Sequence, residues 1–321
     1  ESLKDVKRAT SDWLHAFYVY IIPLGSCGDI FIMVFEDTAI KDVIDYLEWV
    51  KCTSLSENSG ISFEQTKVYY RGQSDSSWNI TPGIFREIKQ GTGKKLDESR
   101  LLKQASLCLW NEMNSFKTYL EKLIYLQHYG LKTRLLDVTF NPLTALYFAC
   151  IESKENEKNE GKDGVVFCGY KKEHYDPITA EFIAEYLFTR GQSGANFSDL
   201  EFFAKQQKAK VESFAETQFI FAPINNLRIE AQDGAFIMPS LIKGNGYIAN
   251  YDKLDNSGFF DKKRAIISKN YKDSILQELF LLGINSGTIY KGVSDKLEAI
   301  QQEESWRILK YEINETSCVK G

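Results

Sequence analysis

The amino-acid sequence predicts an α+β fold: a single mixed domain over residues 37–321, with strands and a helical subregion, preceded by an N-terminal extension over 1–36. Three observations predict it. Runs of β-branched and aromatic residues, such as VYY at 68–70 and VVFCGY at 165–170, read as strands. Between them lie segments with apolar residues at helical spacing, without the regular alternation of a βαβ array. No repeat or linker divides the chain, and 321 residues at 43% hydrophobic and 13% aromatic can bury one large core or two modest ones.

Taken in order, residues 1–36 predict a short helix and a strand around Asp29 to Phe35, and AIKDVIDYLEWVKC at 39–52 an amphipathic helix. The polar stretch TSLSENSG leads to the strand Val68, Tyr69, Tyr70, placing Arg71 where that strand runs out into a turn. Asp97 is an N-cap for a long helix reaching Leu120, with Leu101, Ala105, Cys108, Met113 and Phe116 as its buried stripe. LEKLIYLQHYG is a second helix stopped by Gly130. LKTRLLDVT reads as a strand, followed by a helix with Asn141 as N-cap and Pro142 at its first position. SKENEKNEGKDG is a solvated surface insertion before the strand VVFCGY. Helices follow to Glu212, one of them ending at Arg190 and Gly191, so RGQS at 190–193 is a helix end unrelated to the RGQS at 71–74. ETQFIFAPINNLRIEAQDGAFIMP reads as strands, with Asp233 and Gly234 as a hairpin turn between RIEAQ and AFIMP. The chain closes with a helix at ILQELFLLGI and a strand near WRILKYEI.

Composition excludes several classes. A net charge of -5 argues against a dedicated phosphate-tracking nucleic-acid binder, although Lys205, Lys208 and Lys210 could line a local groove. The six cysteines form no CxxC pair and read as reduced, buried packing residues of a cytoplasmic protein. His15, His128 and His174 lack zinc-ligand spacing, so no metal is expected. The apolar run before residue 36 is broken by Pro23, Gly25, Gly28 and Asp29, and predicts neither a membrane span nor a signal peptide.

Three constellations can carry chemistry. Arg71, directly after an aromatic strand, needs a negative partner if it is buried. A structural carboxylate would serve. So would a phosphate, which the guanidinium fork matches and which Gly72 would let the backbone approach. The second constellation is QHYGLKTRLLDVTFNPLTALYFA at 127–149, dense in polar groups. Strand alternation puts Thr133, Leu135, Asp137 and Thr139 on one face, so Asp137 and Thr139 project together just before a helix N-terminus, a favourable place for an anion. The plainer alternatives pair Asp137 with Arg134 and leave His128 as a packing histidine. The third is RIEAQDG, where Arg228, Glu230 and Gln232 share a face.

Tyr70, Arg71 and Gly72 with the following QSDSSW, and then QHYGLKTRLLDVTFNPLTALYFA, resemble the FRG domain of bacterial proteins, named from its Phe/Tyr-Arg-Gly motif. RIEAQDGAF and ELFLLGINSGTIY resemble that family's later segments, so the resemblance spans roughly residues 39 to 300. The motif order is also similar to that of ADP-ribosyltransferases. That resemblance implies an enzyme that consumes NAD as substrate and transfers ADP-ribose to a nucleic-acid or protein acceptor. The implied setting is a bacterial toxin or anti-phage defence effector, with an antitoxin or inhibitory protein as a further partner. It implies that Arg71 clamps the phosphates of NAD and that Tyr70, Gly72, Gln73, His128, Tyr129 and Arg134 form the rest of the binding site. Asp137 and Thr139 would stand on the strand that carries Ser and Thr in those enzymes, and Glu230 or Gln232 on the catalytic strand. Glu98 is the alternative carboxylate. Other readings of the same residues are NAD hydrolysis, a nucleotide or phosphate sensor built on Arg71, Lys132 and Arg134, and a structural network of Arg71, Arg134 and Asp137.

Overall fold

Six strands, in the order Arg264–Ile267, Gly164–Tyr170, Val68–Gln73, Leu136–Thr139, Gly234–Met238 and Gln218–Phe221, make the central sheet, every neighbouring pair antiparallel. The computed structural model describes residues 17–24, 29–36, 40–54, 68–88, 91–151, 161–170, 177–190, 197–221, 231–243, 247–248, 260 and 264–318. Along the chain these are β1 (Phe17–Leu24), β2 (Asp29–Glu36), α1 (Val43–Ser54), β3 (Val68–Gln73), α2 (Glu98–Cys108), α3 (Trp110–Ser115), α4 (Tyr119–His128), β4 (Leu136–Thr139), α5 (Pro142–Cys150), β5 (Gly164–Tyr170), α6 (Pro177–Thr189) and α7 (Phe197–Gln206). They continue as β6 (Gln218–Phe221), β7 (Gly234–Met238), β8 (Ile242–Lys243), β9 (Tyr247–Ile248), β10 (Arg264–Ile267), α8 (Lys272–Leu281), α9 (Ser286–Tyr290) and α10 (Val293–Cys318). The arrangement is the mixed α+β domain expected. Among the described residues no helix is long and apolar enough to cross a membrane.

Local signals explain the helix ends. The Asp97 carboxylate accepts from Arg100 N at 3.1 Å and starts α2. Thr118 and Glu121 form a reciprocal capping box at α4, and Gly130, at φ 92°, turns the chain after it. Asn141 caps α5 by accepting from Leu143 N, with Pro142 in its first turn.

The two faces of the sheet are covered differently. Strand pairing puts Tyr70, Thr139, Asp137 and Phe236 on one face. There α2, α4, α6 and α7 pack over β6 and β7 through Leu102, Leu123, Ile183 and Phe203 against Ile220, Phe236 and Met238. On the same face α1, α5 and α8 pack over β3, β5 and β10 through Tyr46, Ala145 and Ile275 against Tyr70, Cys168 and Ile267. Two helical layers therefore meet above the β3/β4 seam. The other face buries Tyr69, Leu136, Val138, Phe219 and Ile237 beneath Phe260.

Helix α5 lies very close to the sheet because two strand glycines let it. A Cβ on Gly72 would stand 1.9 Å from the Ala145 carbonyl oxygen, and one on Gly164 2.2 Å from that of Ala149. Gly72 thus admits a helix, where the sequence suggested room for a phosphate.

Several sequence expectations are corrected. Strand β3 continues past Arg71 to Gln73, held by its register with β5. The long helix after Asp97 is broken at Leu109 and again at Phe116; Ala105, Met113 and Phe116 of the expected stripe do reach the core, but Leu102 takes the place of Leu101 and Cys108 is exposed. The strand at 131–139 contracts to Leu136–Thr139. Strand β7 pairs with β4 and β6, and Ala231 is helical, so the expected RIEAQ–AFIMP hairpin is not what β7 joins. In the N-terminal extension, Phe17–Leu24 is a strand paired with Asp29–Glu36. WRILKYEI lies inside α10, where the preceding run of Lys, Leu, Glu, Ala and Gln favours a helix that then propagates.

Candidate functional site

Strands β3 and β4 share a single paired position, Tyr70 with Thr139, whereas β3 and β5 share six and β4 and β7 four. Beyond that pair the ladder does not continue, and Arg71 and Gly72 part from Val138 and Asp137. A cleft of ≈ 260 Å³ opens there, walled by Ile124, Gln127 and His128 of α4 on one side and Phe148 of α5 on the other. Gln232 and Phe236 close it at the β7 end.

Splitting a sheet leaves backbone groups that must find other partners. Arg71 Nη1 donates to the Asp137 carbonyl oxygen at 2.6 Å, so its guanidinium bridges the seam where a ladder bond would have been. Its Nε is buried and has no hydrogen-bond acceptor. Burial, together with the Arg86 guanidinium, pushes Arg71 down to about 10, against the opposing pull of the Asp137 carboxylate. This is a cation short of acceptors at the edge of a cavity, which favours an anionic ligand.

On the opposite wall the Asp137 side chain is open to solvent and accepts from Gln127 Nε2 at 2.9 Å. Gln127 Oε1 in turn accepts from the Thr133 hydroxyl. Thr139, two residues along the same face, donates to the Gln232 carbonyl at 2.5 Å and accepts from Asn141 N at 3.0 Å. Its hydroxyl thereby ties β4 to the residue before the β7 turn and to the cap of α5. The Gln232 side chain donates to Ile289 O at 3.4 Å.

The structure brings together Tyr70, Arg71, Gly72, His128, Asp137, Thr139 and Gln232 around one cleft. Tyr70 contributes a core ring, 3% exposed and edge-on to Trp49, so it is poorly placed to stack on a ligand. His128 lies edge-on to Tyr129 with ring centroids 5.0 Å apart. Tyr129 itself is 70% exposed and outside the cleft lining. Gln73 is buried away from the cleft, donating to Asn79 O at 3.4 Å with its Oε1 unpartnered. Glu230 and Arg228 lie outside the described residues.

Arg134 and Glu98 are elsewhere, and they are partners. Glu98 accepts from Arg134 Nε, Nη2 and the backbone N, each at 2.8 Å, with both side chains nearly fully buried. The remaining Arg134 donor faces the Pro239 and Ser240 carbonyls at 3.4 Å. The expected assignment of Arg134 to ligand binding and Glu98 to catalysis is therefore corrected: each satisfies the other, and neither lines the cleft. The suggested Arg71–Arg134–Asp137 network is likewise absent, because Arg134 is committed to Glu98. Gln127 and Phe148 are cleft residues the sequence reading missed. The signal for Gln127 was present, a polar residue beside His128 in the last turn of a capped helix. Among the described residues no His, Cys, Asp and Glu group is clustered to hold a metal ion.

A model of the FRG domain matches residues 66–158. That span runs from just before β3 to just beyond α5, and holds every cleft residue except Gln232 and Phe236. No curated protein and no solved structure matches the chain significantly.

Proposed function

We propose that the cleft binds NAD and that the protein is an ADP-ribosyltransferase acting on a nucleic-acid or protein acceptor, as a bacterial toxin or anti-phage defence effector. The observation that carries this reading is Arg71, a guanidinium in a split sheet with a buried Nε that lacks an acceptor, facing a cleft whose other wall presents the Asp137 carboxylate. A cation for phosphate and an anion for developing positive charge are what the reaction requires.

In the proposed reaction the bond between the nicotinamide nitrogen and ribose C1′ breaks, and its electron pair neutralises the pyridinium ring as nicotinamide leaves. The sugar passes through an oxocarbenium-like state. An acceptor oxygen or nitrogen then bonds to C1′ and gives up its proton. Asp137 is the described carboxylate in position to stabilise the sugar charge electrostatically or to take that proton, while Arg71 holds the pyrophosphate. At ≈ 260 Å³ the cleft is smaller than the roughly 300–1,000 Å³ of drug-sized ligand sites, so it suits one end of the dinucleotide. The sensor alternative relied on Arg134 as a second phosphate ligand, and the commitment of that side chain to Glu98 leaves it less support.

The test is incubation of the protein with adenylate-labelled NAD and a cell lysate, followed by protease or nuclease, alongside Arg71→Ala. Label that enters a macromolecule and is lost with Arg71→Ala supports the transferase, and digestion names the acceptor class. Release of nicotinamide with no labelled macromolecule points to hydrolysis. Neither release nor label overturns the enzyme reading.

A further inference from the structure

Asp137 is a solvent-open carboxylate at the mouth of a split sheet, a setting in which a short side chain would ordinarily rotate freely. It is instead the end of a hydrogen-bonded chain that starts in the protein interior. Leu135 N donates to the Thr133 hydroxyl at 3.1 Å, and that oxygen, in a side chain only 2% exposed, donates onward to Gln127 Oε1. With Oε1 occupied by a donor, the amide can present only its NH2 group to the other side. There it meets Asp137 Oδ1 at 2.9 Å. The ionised carboxylate can only accept, so it takes the NH2 end of Gln127, which leaves Oε1 to the Thr133 hydroxyl, while the Leu135 N–H anchors that hydroxyl in the interior.

We propose that Gln127, locked by Thr133, is a positioning residue that holds one oxygen of Asp137 so that the other faces the reacting ribose or the acceptor. This rests on the transferase reading above. It also explains why α4 ends with a polar side chain turned toward the sheet, among the apolar Ile124 and Phe236. The other charged or titratable side chains at the cleft are Tyr70 and Arg71 from β3 and His128 from α4, and none of them is altered in the variants below.

The experiment is steady-state nicotinamide release by the full chain, comparing wild type with Gln127→Leu, Gln127→Glu, Thr133→Val and Thr133→Ser. Gln127→Leu is expected to lower kcat by about 10- to 100-fold, as for a misplaced reacting group, with KM for NAD and the melting temperature little changed. Thr133→Val follows in the same direction, and Thr133→Ser restores the rate. Gln127→Glu sets a second carboxylate against Asp137. Two carboxylates in contact resist ionising together, so the acid limb of kcat moves to higher pH, which a purely structural glutamine would not cause. A rise in KM with kcat intact, or an unmoved acid limb, overturns the proposal. Crystal structures of wild type and Gln127→Leu decide it independently of turnover: an Asp137 rotamer shared by both overturns it, and rotation of the carboxylate in the variant supports it. A wild type that releases no nicotinamide defeats the transferase reading alone, and the paired crystal structures still decide whether Gln127 positions Asp137.

Discussion

Arg71 and Arg134 are both arginines drawn into the sheet region, and their surroundings differ in one respect that sets their roles apart. Arg134 is complete: three bonds of 2.8 Å run from its side chain and backbone to Glu98, and its guanidinium lies 5.8 Å from the centre of the Phe85 ring. Arg71 makes a bond to the Asp137 carbonyl and keeps a buried Nε without an acceptor. A buried ion pair with every donor used has nothing left for a ligand. A half-buried cation whose buried Nε has no acceptor costs stability until an anion arrives.

That contrast can be broken most severely at Glu98. Glu98→Ala leaves the Arg134 charge buried without its partner and should cost about 3–5 kcal/mol in chemical denaturation. Replacing both residues by apolar ones of similar volume should recover much of that loss, since the pair is not needed at the cleft. If instead Glu98→Ala leaves stability untouched and abolishes turnover, the division between the two arginines is wrong.

Gly72→Ala probes the ground beneath Arg71. Its new methyl meets the Ala145 carbonyl, so α5 must shift, and a loss of about 1–3 kcal/mol is expected from overpacking, with the melting temperature as the measurement. Activity should fall with the fold rather than ahead of it.

Arg71→Ala sharpens the comparison because its expected effects are split. Stability should change by no more than about 1.5 kcal/mol, the scale of one hydrogen bond, while calorimetric affinity for NAD collapses. Arg71→Lys keeps the charge but loses the fork, and should restore only part of the binding. A loss of several kcal/mol in Arg71→Ala would place Arg71 beside Arg134 as a structural residue.

The smallest effect is in pH. Arg71 is pushed down to about 10 in the folded chain, so from there up to the ordinary arginine range the unfolded chain binds the extra proton. The contribution of Arg71 to stability therefore rises with pH across that window, while its pull on an anion falls as pH passes about 10. Affinity for inorganic pyrophosphate should drop there in wild type and stay flat in Arg71→Ala. Equal pH dependence in both would remove Arg71 from the anion site.

What could be read along the chain was local. Asp97, Gly130, Asn141 and Pro142 each act within a few residues of themselves, and each does what its side chain or backbone freedom dictates. The shared face of Asp137 and Thr139 follows from the pleat alone, and survived even though the strand around them is shorter than expected. The strand expected near Trp306 fails for the opposite reason, because the residues before that segment carry it into a helix.

The sequence by itself thus determined the α+β class, the Asn141 cap and Gly130 stop of the helices that flank the cleft, Asp137 on a strand, and Arg71 directly after an aromatic one. Only the tertiary structure decided that β3 and β4 part after one pair, that Glu98 rather than Asp137 takes Arg134, and that Gln127 reaches Asp137. The physical reason is one of range. A cap or a pleat is settled by dihedral angles of adjacent residues, whereas the partner of a guanidinium is whichever acceptor the packing of distant segments carries within about 3 Å. The split seam has the same origin: two helical layers, one on β6 and β7 and one on β3, β5 and β10, meet over it, and neither is encoded in the strands that separate.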